Sequence, residues 1–167
     1  MTDEQIIQEV RKGNDSAYKE LVLRYESLVA STVIGMIGRR PEAEDIGQEV
    51  FIRFYNAINN FRGDASVGTY LTRIGINLSL NEIKRRKRKQ NIFIDKDYSE
   101  LEDLKGESMQ YTEGDREVID KAIQSLDPKF RSVVVLRLID GYSTKEVSRI
   151  LKIPIGTVLS RLARAQE

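Results

Sequence analysis

The sequence predicts an all-α chain of two small helical domains joined by a flexible acidic linker, the second domain carrying a helix-turn-helix. Three observations point there. Apolar residues recur at helical spacing on both sides of one central segment. That segment loses the spacing and turns polar and acidic. All three prolines, Pro41, Pro128 and Pro154, stand where a helix is due to begin. The 167 residues suit one domain or two small ones, and 40% hydrophobic content is enough to form a core.

Taken in order, Thr2-Asp-Glu-Gln5 has the form of a capping box ahead of Ile6, Ile7 and Val10. Gly13 and Asn14 break the chain, and Asp15 is placed to cap a longer helix. Its apolar face runs through Ala17, Leu21, Tyr25, Leu28, Val29, Thr32 and Val33. Gly35 and Gly38 weaken its end, and Arg39-Arg40 suit its negative pole. Pro41 opens the next helix with Glu42, Glu44 and Asp45 in its first turn; Ile46, Val50, Phe54 and Ile58 form its buried row. Phe61 to Ser66 reads as a loop. Helical spacing returns with Tyr70, Leu71, Ile74, Leu78 and Ile83 and enters a basic tract. From about Gln90 to Thr112 the pattern dissolves into a linker, a stretch able to reach roughly 75–80 Å at ~3.3–3.6 Å per residue. Beyond it, Val118, Ile119, Ala122, Ile123 and Leu126 outline another amphipathic helix. Asp127-Pro128 caps the next, which is apolar from Val133 to Ile139 and stopped by Gly141. Ser143-Thr-Lys-Glu146 is a second capping box, opening a helix through Val147, Ile150 and Leu151. Pro154 starts the last helix, through Val158 and Leu162. The expected division is 1–90 for the first domain, 91–112 for the linker and 113–167 for the second domain.

Composition narrows the chemistry. The chain has no Cys, His or Trp, which removes disulfides, thiolate and imidazole zinc sites, and every histidine-dependent triad. Carboxylate chemistry and oxygen-ligated metals stay open. No apolar run approaches the ~20 residues of a membrane span, and the polar start is unlike a signal peptide, so a cytoplasmic protein without membrane insertion is expected. The net charge of +1 conceals a partition. Residues 1–94 carry 15 basic and 12 acidic groups, residues 95–117 carry 3 and 9, and residues 118–167 carry 9 and 5. Lys84 to Lys89 is an unbroken run of six cations, either a solvated helix end or a contact for phosphates.

Three constellations bear on function. In the last two helices, a capped helix of about eight residues, a short turn and a helix opening Pro-Ile-Gly-Thr fit a helix-turn-helix. Such geometry puts Thr157, Ser160, Arg161 and Arg164 within reach of a major groove, although a plain helical hairpin with solvated arginines fits the same pattern. Asp45, Gln48 and Glu49, spaced i, i+3 and i+4, share one helix face. That face suits a basic partner, a solvated acidic surface, or a metal if further oxygen ligands joined it. Phe61, Tyr70, Ile74 and Asn77 precede the cations Lys84, Arg85, Arg86 and Arg88. Rings, an amide and cations in that order suit single-stranded DNA, while both rings also fit a core.

In this order the segments resemble a bacterial RNA polymerase sigma factor of the extracytoplasmic-function (ECF) group. Asp15-Ser-Ala-Tyr-Lys-Glu-Leu resembles the family's first helix. Ala43-Glu-Asp-Ile-Gly-Gln-Glu-Val-Phe resembles its polymerase-docking helix. Phe61-Arg-Gly-Asp and Arg73-Ile-Gly-Ile-Asn-Leu resemble the segment that melts and reads the −10 element. Ser125-Leu-Asp-Pro-Lys-Phe-Arg, Leu138-Ile-Asp-Gly-Tyr-Ser and Ile153-Pro-Ile-Gly-Thr-Val resemble the domain that reads the −35 element. The resemblance implies a promoter-specificity subunit, not an enzyme, with no cofactor and no metal. Its partners would be core RNA polymerase through Asp45, Gln48 and Glu49, promoter DNA, and an anti-sigma factor. Phe61, Tyr70, Ile74, Asn77, Lys84, Arg85, Arg86 and Arg88 would meet −10 DNA, and Thr157, Ser160, Arg161 and Arg164 would meet −35 DNA. The linker would pass near the polymerase channels, its acidity imitating nucleic acid. The sequence departs from the family at Tyr70, where Trp is common, at Asn81, often Asp, and at Leu159, usually basic. The competing readings are a stand-alone dimeric helix-turn-helix regulator and, well behind it, a metal-dependent helical enzyme built on Asp45 and Glu49.

Overall fold

The computed structural model describes residues 1–94 and 114–166, all of them helices and turns. The first lobe holds α1 (Asp3–Arg11), α2 (Ser16–Ile37), α3 (Pro41–Ala57) with a 3₁₀ turn at Ile58–Asn60, and α4 (Val67–Ile94). The second holds α5 (Gly114–Ser125), α6 (Pro128–Val134) running into a π-helical turn at Val135–Ile139, α7 (Thr144–Leu151) and α8 (Ile155–Ala165).

Both capping boxes form: Thr2 and Gln5 bond reciprocally at the start of α1, and Ser143 and Glu146 at the start of α7. Asp127 caps α6 by accepting from the Lys129 amide. Asp15 does not cap α2 with its side chain. The carboxylate turns away to accept from the Tyr55 hydroxyl at 2.7 Å, leaving the helix start to backbone turns. Helix α4 begins at Val67, three residues before the first apolar position that suggested it. Ser66 accounts for this, its hydroxyl accepting from the Thr69 amide at 3.1 Å. The same helix carries straight through the basic tract to Ile94, past the expected linker start; residues 95–113 lie outside the described residues. Pro41 and Pro128 are first helical residues, whereas Pro154 stands one position ahead of α8.

The core of the first lobe is built as the spacing requires. Leu21, Val29 and Val33 of α2 meet Val50 and Phe54 of α3 and Leu71 and Ile76 of α4, with Ile6, Ile7 and Val10 of α1 closing one side. Phe54 is fully buried between Phe61 and Tyr70, ring centroids 5.4 Å away in each case. Truncating such a ring costs ~3–5 kcal/mol. The second lobe buries Val133, Leu136, Val147, Ile150 and Val158. Helix α5 differs from expectation. Only Ile123 of its apolar stripe is buried, while Val118 and Ile119 are each 55% exposed.

The two lobes pack on each other. Helix α2 runs through Gly35 without a break and ends at Gly38, whose φ of +83° needs a residue lacking Cβ. At Gly35 the second lobe comes so near that an added Cβ would lie 3.0 Å from both methyls of Val135. Around that contact Ser31 and Thr32 donate to the Asp140 carboxylate at 3.1 and 2.6 Å. Gln124 donates to the Gly35 carbonyl at 2.9 Å. Arg131 donates to Met36 O at 2.6 Å and to the carbonyls of Ile123, Gln124 and Leu126, so one guanidinium closes α5 and joins the lobes. Burial pulls its pKa below the usual arginine range, partly offset by Asp127.

Candidate functional site

Three surfaces remain exposed, each carrying residues singled out by the sequence. The first is the outer face of α3. Asp45 and Gln48 are exposed and Glu49 is half-buried, joined to Arg53 at 3.1 Å one turn on. Ile52 continues this stripe and is 52% exposed, an apolar side chain among polar ones. Beside it lies a groove of about 550 Å³ between α2 and α3, floored by Val22, Val29, Ile34 and Phe51 and edged by Glu26, Glu44 and Gln48 together with Arg39 and Arg40. An apolar floor with a rim of both charges suits an amphipathic partner helix. Ile52 and Glu44 were legible as helix positions but not as surface features, since the buried row alone does not say which flanking residues stay uncovered. Among the described residues no three acidic side chains converge where they could hold a metal ion.

The second surface is the loop from Phe61 to Ser66 and the start of α4. Phe61 and Tyr70 are half-buried, packed edge to face at 5.2 Å and both against Phe54. The rings are therefore part of the core, and their outer edges line a cavity of about 240 Å³. Asn60, Arg62, Gly63, Asp64, Ala65 and Arg73 complete its wall with Ala57. Gly63, with φ +78°, reverses the chain there. Ile74, half-buried, and Asn77, exposed, are not among the cavity walls and lie farther along α4. Arg62, Asp64 and Arg73 lie within the motifs the sequence offered but were not singled out as site residues, and Asn60 lay outside them; the loop geometry brings the four together.

The cationic tract follows on the same helix, and its members differ. Lys84 and Arg88 are exposed. Arg85 is exposed but paired with Glu82 at 2.7 Å, holding that carboxyl below its usual range. Arg86 is turned inward, bonded to Glu82 at 3.3 Å and to the Ile37 carbonyl at 3.5 Å, with Glu42 at 3.7 Å. Arg86 thus fastens α4 to the end of α2, leaving its neighbours to face solvent. Glu82 was the signal available in the sequence, since a carboxylate three and four residues before two arginines pairs with them on a helix.

The third surface is α8. An αL residue, Lys152 with φ +56°, ends α7, and Ile155 begins α8 after the turn. Ser160 and Arg164 are exposed and Thr157 and Arg161 half-buried, with Ser160 donating to the Thr157 carbonyl. Neither arginine lies within ion-pair distance of a carboxylate among the described residues, so both guanidinium groups keep their donors for an anion or a base edge. Ile155 and Leu159 add apolar exposure of 46% and 54% to this helix.

The lobe contact adjoins the second surface. Thr72 of α4 bonds the Tyr142 hydroxyl at 2.8 Å, and Arg73, a wall residue of the loop cavity, reaches the Arg149 carbonyl at 3.5 Å. The helix-turn-helix thus rests against α4 one residue from the cavity. Among the described residues no helix is long and apolar enough to cross a membrane.

Comparison with known proteins accounts for both lobes. Residues 21–89 match the family model for Sigma-70 region 2, and residues 116–166 match that for Sigma-70, region 4. The ECF RNA polymerase sigma-E factor of Escherichia coli is 33% identical over all of this chain and 92% of its own length. The RNA polymerase sigma-H factor of Pseudomonas aeruginosa is 31% identical over 99% of this chain and 90% of its own. Among solved structures, the sigma factor RpoE in complex with the anti-sigma factor NepR from Bartonella quintana aligns with a TM-score of 0.68 at 22% identity. That alignment covers 89% of this chain and 91% of the other. CnrH in complex with the cytosolic domain of CnrY aligns equally well, over 98% and 92%.

Proposed function

The chain belongs to the sigma-70 family of RNA polymerase sigma factors, in its ECF group, and on that premise we propose how its surfaces divide the work of promoter recognition. The α3 face, with Asp45, Gln48 and Glu49 beside the apolar groove, docks core RNA polymerase. The loop cavity takes a base flipped from the −10 element, Phe61 and Tyr70 presenting ring edges and Asn60, Asp64 and Arg73 offering polar contacts. Ile74 and Asn77 extend that contact along α4, and Lys84, Arg85 and Arg88 take upstream phosphates. Arg86, held by Glu82, supports the helix instead. Helix α8 reads −35 DNA through Thr157, Ser160, Arg161 and Arg164. Domains at 1–90 and 113–167 carry these two halves, and the acidic segment between them follows a basic channel of the polymerase. The protein acts by binding, without chemistry of its own, in the cytoplasm.

The observation that carries this reading is the acidic stripe on α3 continued by an exposed isoleucine, beside an apolar-floored groove. The lobe packing adds a requirement. The −10 and −35 elements lie ~25 base pairs apart, or ~85 Å at 3.4 Å per base pair. Both are read together only when the lobes separate. An anti-sigma factor that clasps the joined lobes would hold the protein inactive, and one solved neighbour is a sigma factor in complex with an anti-sigma factor. A stand-alone dimeric regulator is the weaker reading, because the relatives match along the whole chain.

Binding of the purified protein to bacterial core RNA polymerase tests the proposal, with wild type beside Asp45→Lys/Glu49→Lys. Tight binding by wild type, weakened at least about tenfold in the variant with helical content unchanged, is the expected outcome. Specific binding to duplex promoter DNA alone, with no affinity for polymerase, would overturn it.

A further inference from the structure

We propose that Arg11, at the end of α1, is the positioning residue that sets the loop cavity for base selection, an assignment resting on the promoter-reading role given above. The 3₁₀ turn Ile58–Asn60 ends α3 and leaves its last carbonyls short of partners, as helix ends do. The one backbone bond there, from the Phe61 amide to Ile58 O, is stretched to 3.4 Å. Arg11 supplies what is missing. Its Nε and Nη2 donate to Ile58 O at 3.0 and 2.8 Å, and Nη2 also donates to Phe61 O at 2.5 Å. One planar guanidinium therefore holds both the last turn of the helix and the first residue of the loop.

Nothing closer in sequence does this, since Arg11 stands 47 and 50 residues upstream of the carbonyls it binds. Among the described residues no carboxylate lies within ion-pair distance of it. Its positive charge instead meets the negative pole of the α3 end. The base from which it reaches is firm. Ile6, Ile7 and Val10 are buried, and Asp3 at the other end of α1 pairs with Arg24 at 2.6 Å.

The loop itself is held little beyond its ends. Ser66 fixes the far end by capping α4, and Gly63 reverses the chain with φ +78°. Arg62 and Asp64 are exposed and make no side-chain hydrogen bond among the described residues. The Phe61 ring is held by Phe54 and Tyr70, but its carbonyl, and with it the path of the backbone into Arg62 and Gly63, depends on the Arg11 anchor. Those three residues also line an open groove of about 630 Å³ against α1, and Arg11 lines that groove, reaching the loop cavity only through the carbonyls it binds. Loss of the fork lets the loop shift, and a shifted loop admits the wrong base as readily as the right one. A positioning role of this kind changes discrimination more than affinity.

The test uses the full chain assembled with core polymerase on promoter templates bearing each of the four bases at the flipped −10 position. Arg11→Ala is expected to reduce the preference for the best base over the worst by about tenfold. Polymerase affinity and discrimination at the −35 element are expected to stay within twofold of wild type. Hydrogen exchange of amides 59–65 should quicken while that of α1 holds. Arg11→Lys keeps the charge but not the planar fork and should recover less than half of the preference. If Arg11→Ala fails to fold, Arg11→Gln, which retains one donor to a carbonyl, replaces it, with an intermediate loss expected. Unchanged base preference in a folded variant overturns the proposal. So does an equal loss at −10 and −35, which would make Arg11 a general structural clamp. A wild-type holoenzyme with no base preference at −10 would instead refute the cavity's assignment as the base pocket.

Discussion

Helix α2 has two flanks, and they are finished in opposite ways. Towards α3 it shows Val22, Val29 and Ile34 to an open apolar groove. Towards the second lobe it shows Ser31, Thr32 and the bare backbone of Gly35, and there it is covered. A chain folding for stability alone would do the reverse, covering the apolar flank and leaving the polar one to water. The arrangement makes sense if the covered flank has to be uncovered in use. Hydrogen bonds such as those from Ser31 and Thr32 to the Asp140 carboxylate are each worth ~1.5–3 kcal/mol net, far below their strength in isolation, because water replaces them when the lobes part. The seam is mixed, since Val135 and Ile139 also approach Gly35, and it is the polar part that water can replace when the lobes part. The open groove is the converse, a surface whose occupant is another molecule.

The open flank offers the largest test of this contrast. Ile52→Asp removes the exposed apolar contact beside Asp45 and Glu49. It should weaken polymerase binding by about 2–4 kcal/mol if the stripe is the centre of that interface. Thermal stability should change little, since the side chain is 52% exposed. Equilibrium binding and a melting curve read the two effects separately. A variant that melts earlier but still binds polymerase at wild-type strength would assign Ile52 to packing and remove the contrast.

The covered flank yields a smaller effect of a different kind. Gly35→Leu places a branched side chain where even a Cβ comes within 3.0 Å of Val135. Because Gly35 is helical, the substitution favours α2 itself, and the strain falls on the lobe contact at a cost of about 1–3 kcal/mol. The lobes should part, seen as a larger radius of gyration by X-ray scattering, with helical content and polymerase affinity retained. A compact variant would show that the lobes accommodate the side chain and that Gly35 does not set their approach.

Much of this was legible in the sequence, and the limits have physical causes. Both capping boxes, Pro41 and Pro128 at first helical positions and the eight-residue helix ahead of α8 follow from local rules, and the structure contains them; of the row expected for α3, Val50 and Phe54 are buried, Ile46 is half-buried and Ile58 is buried in the 3₁₀ turn beyond the helix. The shared face of Asp45, Gln48 and Glu49 on α3 was legible too, because helical spacing fixes which residues share a face, although the exposure of Ile52 beside them was not. What spacing cannot convey is pairing at a distance. Arg86 reads as one of six cations in a row, with Glu82 one turn before it, yet the distant Ile37 carbonyl also draws it inward. Gly35 reads as a weak point at a helix end, yet it is where another lobe approaches. Tyr70 reads as a stacking ring or as core; the structure packs it on Phe54 and leaves an edge of it on the cavity wall. Asp15 fits the pattern of a cap and is taken by Tyr55 instead.

The smallest expected effect concerns Asp140 and works through protonation. Burial raises its pKa above the ordinary carboxylate value, and the hydrogen bonds from Thr32 and Ser31 only partly counter this. Among the described residues no cation lies within ion-pair distance, and the nearby Tyr142 is itself shifted upward and stays neutral. The sign follows from linkage. A carboxyl whose pKa is higher with the lobes joined than apart binds its proton more tightly in the joined form. Lowering the pH through the window between those two values therefore favours the joined form, and at neutral pH the buried charge opposes it. Fluorescence transfer between labels on the two lobes should rise on acidification through that window, by an amount equivalent to less than about 1 kcal/mol, since the charge retains two donors. Asp140→Asn should keep the transfer high and flat across the same range, because the amide oxygen still accepts from Thr32 and carries no charge. An unchanged slope in that variant would place the titrating group elsewhere. A slope of the opposite sign would mean that the hydroxyls of Ser31 and Thr32 stabilise the carboxylate more than burial disfavours it.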